Sequence, residues 1–217
     1  MSRFADRVDA GRRLARRLAE RVAEAPDAFA DPVVLGLPRG GVPVAAEVAR
    51  ELAAPLDVLI VRKVGAPGQE EVAMGAVGES DAVVRNDHVI RIVGISAQAL
   101  AAAEDRKRAE VAKRAELFRR GRSAVPLEGR TAIIVDDGIA TGATVRAACA
   151  IAAARGAARV VVAVPVAAPD VLDDLAEADE VICLLAPAGF MAVGMHYVDF
   201  HQTEDAEVVR LLAAASA

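Results

Sequence analysis

Two adjacent carboxylates, Asp136 and Asp137, follow an apolar run at residues 131–135 and precede a loop of small and hydroxyl residues. The run predicts a buried strand, and the Ala-rich stretch after the loop predicts a helix. Ligands of open α/β sheets bind at the carboxyl ends of the strands, where these acids are expected to lie. Carboxylates suit hydroxyl groups, whereas backbone N–H groups at a helix N-terminus suit a phosphate. Together they describe a site for a ribose 5-phosphate, and an ordinary strand-to-helix turn capped by Asp and Thr is the alternative.

The same segment resembles the phosphoribosyl pyrophosphate (PRPP) motif of type I phosphoribosyltransferases, in which an apolar strand, two acids and a Gly/Thr loop lead into a helix. The resemblance implies that Asp136 and Asp137 hold the ribose 2′- and 3′-hydroxyls and take part in catalysis. It also implies that the loop surrounds the 5-phosphate. The predicted PRPP-binding residues of the loop are Gly138, Ala140, Thr141, Gly142, Ala143 and Thr144. Mg²⁺ would arrive bound to PRPP, coordinated mainly by pyrophosphate oxygens, ribose hydroxyls and water.

A Gly-rich turn follows the first predicted strand and contains Arg39, Gly40 and Gly41. The turn lacks the glycine spacing of dinucleotide-binding oxidoreductases, which makes that class a distant alternative. It resembles the pyrophosphate loop of the phosphoribosyltransferase family. In that role the glycines let backbone amides approach the diphosphate, and Arg39 adds a charge-assisted contact. A plain surface arginine is the alternative interpretation.

Arg62 and Lys63 stand together at the end of the second predicted strand, just before the Gly-rich residues 65–78. By the same resemblance, these two catalytic cations reach the pyrophosphate. Reaction at C1′ builds positive charge on the ribose and negative charge on the leaving group, so cations here favour the transition state. Closure of the loop would exclude water. Glu70 and Glu71 also lie in this loop, where a solvated position is favoured over a catalytic one.

Three of the six Phe and Tyr residues fall within residues 190–200. An aromatic ring can stack on a flat heterocycle, a contact worth about 1–3 kcal/mol per base. The segment resembles the hood of 6-oxopurine phosphoribosyltransferases, with one additional residue before Asp199. The resemblance implies that Phe190 stacks on the acceptor base and that Asp199 lies near the base or the metal. The clustering of rings makes Tyr197 a further candidate base contact. Packing of the hood is the alternative role for Tyr197 and Phe200.

Two departures from the 6-oxopurine enzymes bear on the acceptor. Ala140 stands where those enzymes carry a third Asp that handles a proton on the purine, and the strand at residues 159–166 offers no Lys to read a 6-oxo group. Ala at this position also occurs in adenine-type motifs, so the predicted acceptor is a purine-like base of open identity. The three histidines show no metal-ligand spacing, so no protein ligand to a metal is predicted.

Short β-branched runs alternate with Ala-rich stretches along most of the chain. This βαβ pattern predicts a parallel, doubly wound α/β sheet flanked by helices. The predicted strands lie near residues 33–36, 58–63, 131–136, 159–165 and 180–185. The predicted helices are an opening amphipathic one that ends near Pro26, and others near residues 42–53, 142–155, 168–177 and 204–215. We expect a single domain over residues 1–217, with a flexible loop of short antiparallel strands at 64–95, an inserted helix at 96–121 capped by Ser96, and a hood at 186–203.

Composition narrows the functional classes. The formal net charge of −5 argues against a general nucleic-acid binder, which normally carries a basic face. No apolar run reaches the roughly 18 residues that a membrane span needs. The first 25 residues carry seven Arg and no hydrophobic signal-peptide centre. We therefore expect a cytoplasmic protein with no membrane partner.

The predicted function is the transfer of ribose 5-phosphate from PRPP to a small nitrogenous base, with release of pyrophosphate, as a step in nucleotide metabolism. A non-catalytic PRPP-binding regulator is the alternative. The Arg62 and Lys63 pair argues against the regulator, because a sensor of PRPP would not require these cations. A homodimer is compatible with the resemblance, since dimers are common in that family.

Overall fold

The computed structural model describes residues 3–215, except for the side chains of Glu70 and Glu71. Within this range, eight strands form two sheets: β1 (Pro32–Gly36), β2 (Leu56–Val58), β3 (Arg62–Ala66), β4 (Gln69–Val77), β5 (Val83–Arg85), β6 (Thr131–Val135), β7 (Arg159–Val166) and β8 (Glu180–Leu185). The larger sheet is parallel, with the strand order β2-β1-β6-β7-β8. The smaller sheet is antiparallel, with the order β3-β4-β5. The predicted parallel α/β fold is therefore confirmed.

The described part of the chain also contains seven α-helices: α1 (Arg7–Glu24), α2 (Gly41–Glu51), α3 (Asp87–Val93), α4 (Ala97–Arg119), α5 (Ala143–Ala154), α6 (Pro169–Leu172) and α7 (Asp205–Ala214). Successive side chains of a strand point to opposite faces of its sheet. Val34 and Ile133 accordingly pack with α1, α2 and α7 on one face of the parallel sheet. Leu35 and Ile134 pack with α5 on the other. Helices thus cover both faces, as the apolar runs of the strands require.

The predicted strand at 58–63 is wrong in its extent. β2 ends at Val58, although the Leu59 N–H still donates to the Gly36 carbonyl at 3.1 Å. The chain then leaves the parallel sheet, and Arg62 and Lys63 open β3 of the antiparallel sheet. Residues 58–61 are all buried, so the sequence shows one unbroken apolar run where the chain passes from the parallel sheet to the antiparallel sheet.

Two further predictions are corrected. Residues 89–93 lie in the segment predicted to form short antiparallel strands, but they belong to α3. This helix is capped at its start by Asn86, whose Oδ1 accepts from the Val89 N–H at 3.1 Å, and at its end by Gly94 with φ 67°. The helix predicted near 168–177 covers only Pro169–Leu172. The backbone after it turns away, and the Asp174 carbonyl accepts a hydrogen bond from Arg146 of α5.

The long helix α4 confirms the predicted helix at 96–121 and its cap, since the Ser96 Oγ accepts from the Ala99 N–H at 3.2 Å. Its last turn is anchored more deeply than its charged sequence indicates. Arg119 is buried and donates to the Asp57 carboxylate at 2.8 Å and to the Val58 carbonyl at 2.9 Å. This contact holds α4 against the end of β2.

Within residues 3–215, no helix has the length and apolar character needed to cross a membrane.

Candidate active site

Adjacent strands bring the two Gly-containing loops together. β1 and β6 are parallel neighbours, with Gly36 opposite Val135 at their carboxyl ends. The Leu37 N–H continues this pairing by donating to the Val135 carbonyl at 2.9 Å. The turn after β1 and the loop after β6 therefore leave the same edge of the sheet side by side, which is the position expected for a ligand site in an open α/β sheet.

Gly40 and Gly41 lie directly on the acid pair. A Cβ atom on Gly41 would be 2.9 Å from the Asp136 Cα and 2.5 Å from the Val135 carbonyl oxygen. A Cβ atom on Gly40 would overlap the Asp137 carboxylate. Close backbone approach therefore requires glycine at position 41, whereas a side chain at position 40 would force the Asp137 carboxylate to move. The turn between β1 and α2 and the two acids form one surface.

The loop after β6 borders an open cavity of about 190 Å³ at the start of α5. Gly142 occupies the N-cap position with φ 75°, a left-handed conformation that favours glycine. Because Gly142 has no side chain, the first-turn N–H groups of α5 are left for an anion rather than for a side-chain cap. The cavity is lined by Asp136, Gly138, Ile139, Ala140, Thr141, Gly142, Ala143, Thr144, Val145 and Val193. Every predicted PRPP-binding residue of this loop therefore lines one cavity, here called the phosphate-loop cavity.

The two acids are electrostatically unusual. Burial raises the pKa of Asp136 well above its ordinary value, and the neighbouring charge of Asp137 adds to the rise. The Asp136 Oδ1 accepts from the Asp137 N–H at 2.9 Å. Burial also raises the pKa of Asp137, whereas the Arg7 guanidinium opposes the rise. Hydrogen-bond donors or a cation from a ligand would favour ionisation of both carboxyl groups.

Arg7 is the main site residue that sequence reasoning missed. It begins α1, is 9% exposed and donates from Nε to the Asp137 Oδ2 at 2.8 Å. Its Nη1 donates to the His201 carbonyl at 2.6 Å, and its guanidinium lies 4.0 Å from the centre of the Phe200 ring. Arg7 is one of seven arginines in the opening segment, and no local signal distinguishes it, because its acidic partner lies 130 residues away.

Arg39 lies at the mouth of the turn between β1 and α2. Its Nη1 is 3.7 Å from the Asp205 Oδ1, and Arg114 of α4 contacts the same carboxylate at 3.1 Å. Asp205 stands at the N-terminus of α7 and can be shared by both cations. With its amide oriented to accept, Gln202 also takes a hydrogen bond from the Arg39 Nη1 at 3.1 Å, so an anion above the turn would have to draw Arg39 from these two partners.

Arg62 and Lys63 are not brought to the phosphate-loop cavity. They line a separate cavity of about 650 Å³ between the β3–β4 turn and α4, together with Arg106 and Lys107. The Arg62 Nε lies 3.5 Å from Glu110 of α4. The adjacent cations thus belong to the antiparallel sheet rather than to the end of a central strand.

The hood places its aromatic residues differently from one another. Phe190 stacks on His196 with ring centres 5.6 Å apart and an interplanar angle of 11°. Tyr197 is only 3% exposed, and its ring packs between Phe4 and Phe200. The Tyr197 hydroxyl donates to the Asp137 carbonyl at 2.6 Å.

The structure does not support the predicted contact of Tyr197 with a base, because both the ring and the hydroxyl are already engaged. Burial raises the pKa of its hydroxyl, which stays a donor to the Asp137 backbone. Asp199, by contrast, is exposed and accepts from the His201 N–H at 3.1 Å, with its Oδ1 2.9 Å from the His201 Nδ1. The hydrogen bonds with His201 lower the pKa of Asp199. Of the predicted base contacts, Phe190 and Asp199 remain accessible, and Tyr197 has a structural role.

Together, these features define an α/β protein with an acid pair and an uncapped helix N-terminus at the carboxyl edge of a parallel sheet. The family model described as "Phosphoribosyl transferase domain" matches residues 5–184, and the chain belongs to this family. The resemblance seen in the sequence is therefore confirmed.

Two curated proteins and one solved structure are similar to nearly the whole of this chain. Two curated proteins from Mycobacterium tuberculosis, from strains CDC 1551/Oshkosh and H37Rv, are each named "Putative phosphoribosyl transferase" and are 55% identical to it over 216 residues. The match covers 99% of this chain and 47% of each relative, so the chain spans about half the length of these proteins. The crystal structure of TT1426 from Thermus thermophilus superposes with a TM-score of 0.86 at 46% identity, over 98% of both chains.

Proposed function

We propose that this chain transfers the 5-phosphoribosyl group of PRPP to a nitrogenous acceptor and releases pyrophosphate, with Mg²⁺ as the cofactor. The observation that carries the proposal is the position of the acid pair between the two loops. Asp136 lines the phosphate-loop cavity, and Gly40 and Gly41, which are not among its lining residues, contact Asp137 and Asp136. PRPP has the same order of groups, with a phosphate on one side of the ribose hydroxyls and a pyrophosphate on the other.

Each part of the site has a separate task in this proposal. The first-turn N–H groups of α5 donate to the 5-phosphate, and the carboxylates of Asp136 and Asp137 accept hydrogen bonds from the ribose hydroxyls. Arg39 and the backbone of Gly40 and Gly41 contact the pyrophosphate. The bond from C1′ to the pyrophosphate oxygen breaks with its electron pair leaving on pyrophosphate, a bond from C1′ to the acceptor nitrogen forms, and that nitrogen releases its proton to solvent water. The nearby carboxylates stabilise the positive charge that develops on the ribose.

The donor set fits a Mg²⁺ ion that enters with its substrate. Among the described residues, no group of three or more His, Cys, Asp or Glu side chains is arranged to hold a metal. Mg²⁺ is commonly held by one or two carboxylates together with substrate phosphates and water. Asp136 and Asp137 supply two carboxylates beside the proposed pyrophosphate position. When bound, Mg²⁺ would neutralise charge on the leaving group.

The roles of the hairpin cations and the hood are also proposals. Arg62 and Lys63 line the cavity beside α4, so contact with pyrophosphate requires the β3–β4 hairpin to move over the carboxyl edge. For the acceptor we propose a flat nitrogen heterocycle. Phe190 and His196 form a ring stack in the hood, and the adjoining Val193 lines the phosphate-loop cavity.

The test is pyrophosphate release with Mg²⁺, PRPP and a panel of purine and pyrimidine bases. We expect release with at least one base and none without PRPP. Asp105→Asn on the exposed face of α4 is the matched control for Asp137→Asn in the site. Binding of PRPP without release for every base would favour the regulator over the enzyme.

A further inference from the structure

A short segment at residues 4–7, here called the strap, joins the hood to the acid pair. The Phe4 N–H donates to the His196 carbonyl at 2.9 Å, and the Val198 N–H donates to the Phe4 carbonyl at 2.8 Å. The Asp199 N–H donates to the Ala5 carbonyl at 2.9 Å. Three backbone hydrogen bonds of this kind make the strap and residues 196–199 of the hood one strand-like unit.

Arg7 connects this unit to the proposed ribose site. Its Nε donates to the Asp137 Oδ2, and its Nη1 donates to the carbonyl of His201 in the hood. The Phe200 ring lies 4.0 Å below its guanidinium. The planar fork of an arginine is suited to holding two acceptors at once in fixed geometry. Arg7 thus fixes the position of the hood backbone relative to the Asp137 side chain.

The hydrogen bond from Arg7 orients the Asp137 carboxylate and leaves it able to accept further hydrogen bonds. A carboxylate can accept about four hydrogen bonds, and the Arg7 contact uses one position on Oδ2. Ribose hydroxyls can therefore bind to the same carboxylate while Arg7 stays in place. Any shift of the Asp137 side chain on binding would be passed to Arg7 and from there to the His201 carbonyl.

We propose that Arg7 is a positioning residue that couples occupancy of the ribose site at Asp137 to the placement of the hood, and so to the acceptor site. The inference rests on the proposed function, because it takes PRPP as the ligand of Asp137. Coupling between two sites is reciprocal, so an acceptor held by the hood would also strengthen PRPP binding through Arg7.

Hydrogen exchange of the hood amides, measured with and without saturating Mg²⁺ and PRPP, tests the coupling. In the wild type we expect PRPP to slow exchange at residues 193–201 by at least about fivefold, the lower end of typical coupling between sites. Arg7→Gln should bind PRPP with lower affinity, and saturating PRPP should no longer slow exchange of its hood amides. Arg17→Gln, which changes an exposed arginine of α1 paired with Glu20, is the control and should behave as the wild type.

The outcomes separate the two proposals. Absence of PRPP binding to the wild type in calorimetry would overturn the proposed function and the coupling with it. PRPP binding without slower hood exchange, or with equal slowing in Arg7→Gln, would overturn the coupling alone. If Arg7→Gln does not fold, Arg7→Lys replaces it. A single amine lacks the fork, so slowing of less than half the wild-type value is expected, and full slowing would overturn the proposal.

Discussion

Gly41 and Asp136 approach each other so closely that a Cβ atom on the glycine would lie 2.9 Å from the Asp136 Cα. The contact joins the turn after β1 to the loop after β6, which are distant in sequence and adjacent at the sheet edge. The proposed pyrophosphate and ribose positions are therefore mechanically linked. A substitution that displaces one loop should therefore displace the other.

Gly41→Ala tests this link. The added methyl group must displace Asp136 or the backbone of the turn, and overpacking of this kind costs about 1–3 kcal/mol of stability. We expect a lower free energy of unfolding and an affinity for PRPP reduced by about tenfold or more, which corresponds to about 1.4 kcal/mol. Gly189→Ala is the control, because a Cβ there meets no atom within 4 Å. Equal PRPP affinity in the two variants would show that the loops are independent.

Asp136→Asn should weaken PRPP binding without lowering the free energy of unfolding. The pKa of Asp136 is raised above its ordinary value of 3.8 in the folded protein. At pH values between 3.8 and the raised pKa, the folded state therefore binds more protons than the unfolded state. Ionisation of Asp136 therefore lowers the stability of the wild type as the pH rises toward the folded-state pKa. The asparagine does not ionise and keeps an oxygen to accept from the Asp137 N–H.

Urea unfolding of the two proteins at pH 5 and pH 8 measures this difference. We expect Asp136→Asn to be at least as stable as the wild type, with a larger advantage at pH 8 than at pH 5, while its PRPP affinity falls. Asp105→Asn, at an exposed position, should show neither effect. An advantage that shrinks as the pH rises would contradict the electrostatic account of the acid pair.

Phe190→Leu and Tyr197→Phe should affect different steps. If Phe190 stacks on the acceptor, its loss should raise the KM for the acceptor by about 5- to 150-fold, as expected for a stacking contact of about 1–3 kcal/mol, and leave PRPP affinity unchanged. Tyr197→Phe removes the hydrogen bond to the Asp137 carbonyl, worth about 1 kcal/mol. It should lower stability and weaken PRPP binding without raising the acceptor KM. Steady-state kinetics with any base active in the pyrophosphate-release panel decides between these roles, and the reverse pattern would refute them.

Lys63→Ala tests the hairpin cations. A cation that meets pyrophosphate mainly in the transition state should lower kcat by about 100-fold while changing PRPP affinity little. Lys107→Ala alters the same cavity from α4 and pairs with Glu110, so it serves as the control with near wild-type kcat. Equal losses of kcat and PRPP affinity in Lys63→Ala would mean that the lysine only positions the substrate.

The parts of the site that lie close together in sequence were predictable. The strand, the acid pair and the loop into α5 occupy one continuous segment, so their spacing carries the signal, and all of the predicted loop residues line one cavity. The glycines of the turn after β1 were predicted as a loop, although their contact with the acid pair depends on the pairing of β1 with β6.

The remainder depends on contacts between distant residues. Arg7 meets Asp137 only because α1 and the hood converge on the sheet edge, and the buried hydroxyl of Tyr197 finds its acceptor there too. Arg62 and Lys63 were placed on a central strand because residues 58–61 are uniformly apolar. Burial against either sheet requires apolar residues, so the hydrophobic pattern alone does not show where the chain passes from the parallel sheet to the antiparallel sheet.

Calorimetric titration with PRPP and Mg²⁺ tests the central claim most directly. The wild type and Asp105→Asn should bind PRPP with the same affinity. Asp137→Asn should bind it at least about tenfold more weakly, because a charge-assisted hydrogen bond to a ribose hydroxyl is worth about 1.5–3 kcal/mol. Circular dichroism establishes that each variant is folded. Undiminished PRPP affinity in a folded Asp137→Asn, or no binding by the wild type, would contradict the assignment of this acid pair to the ribose.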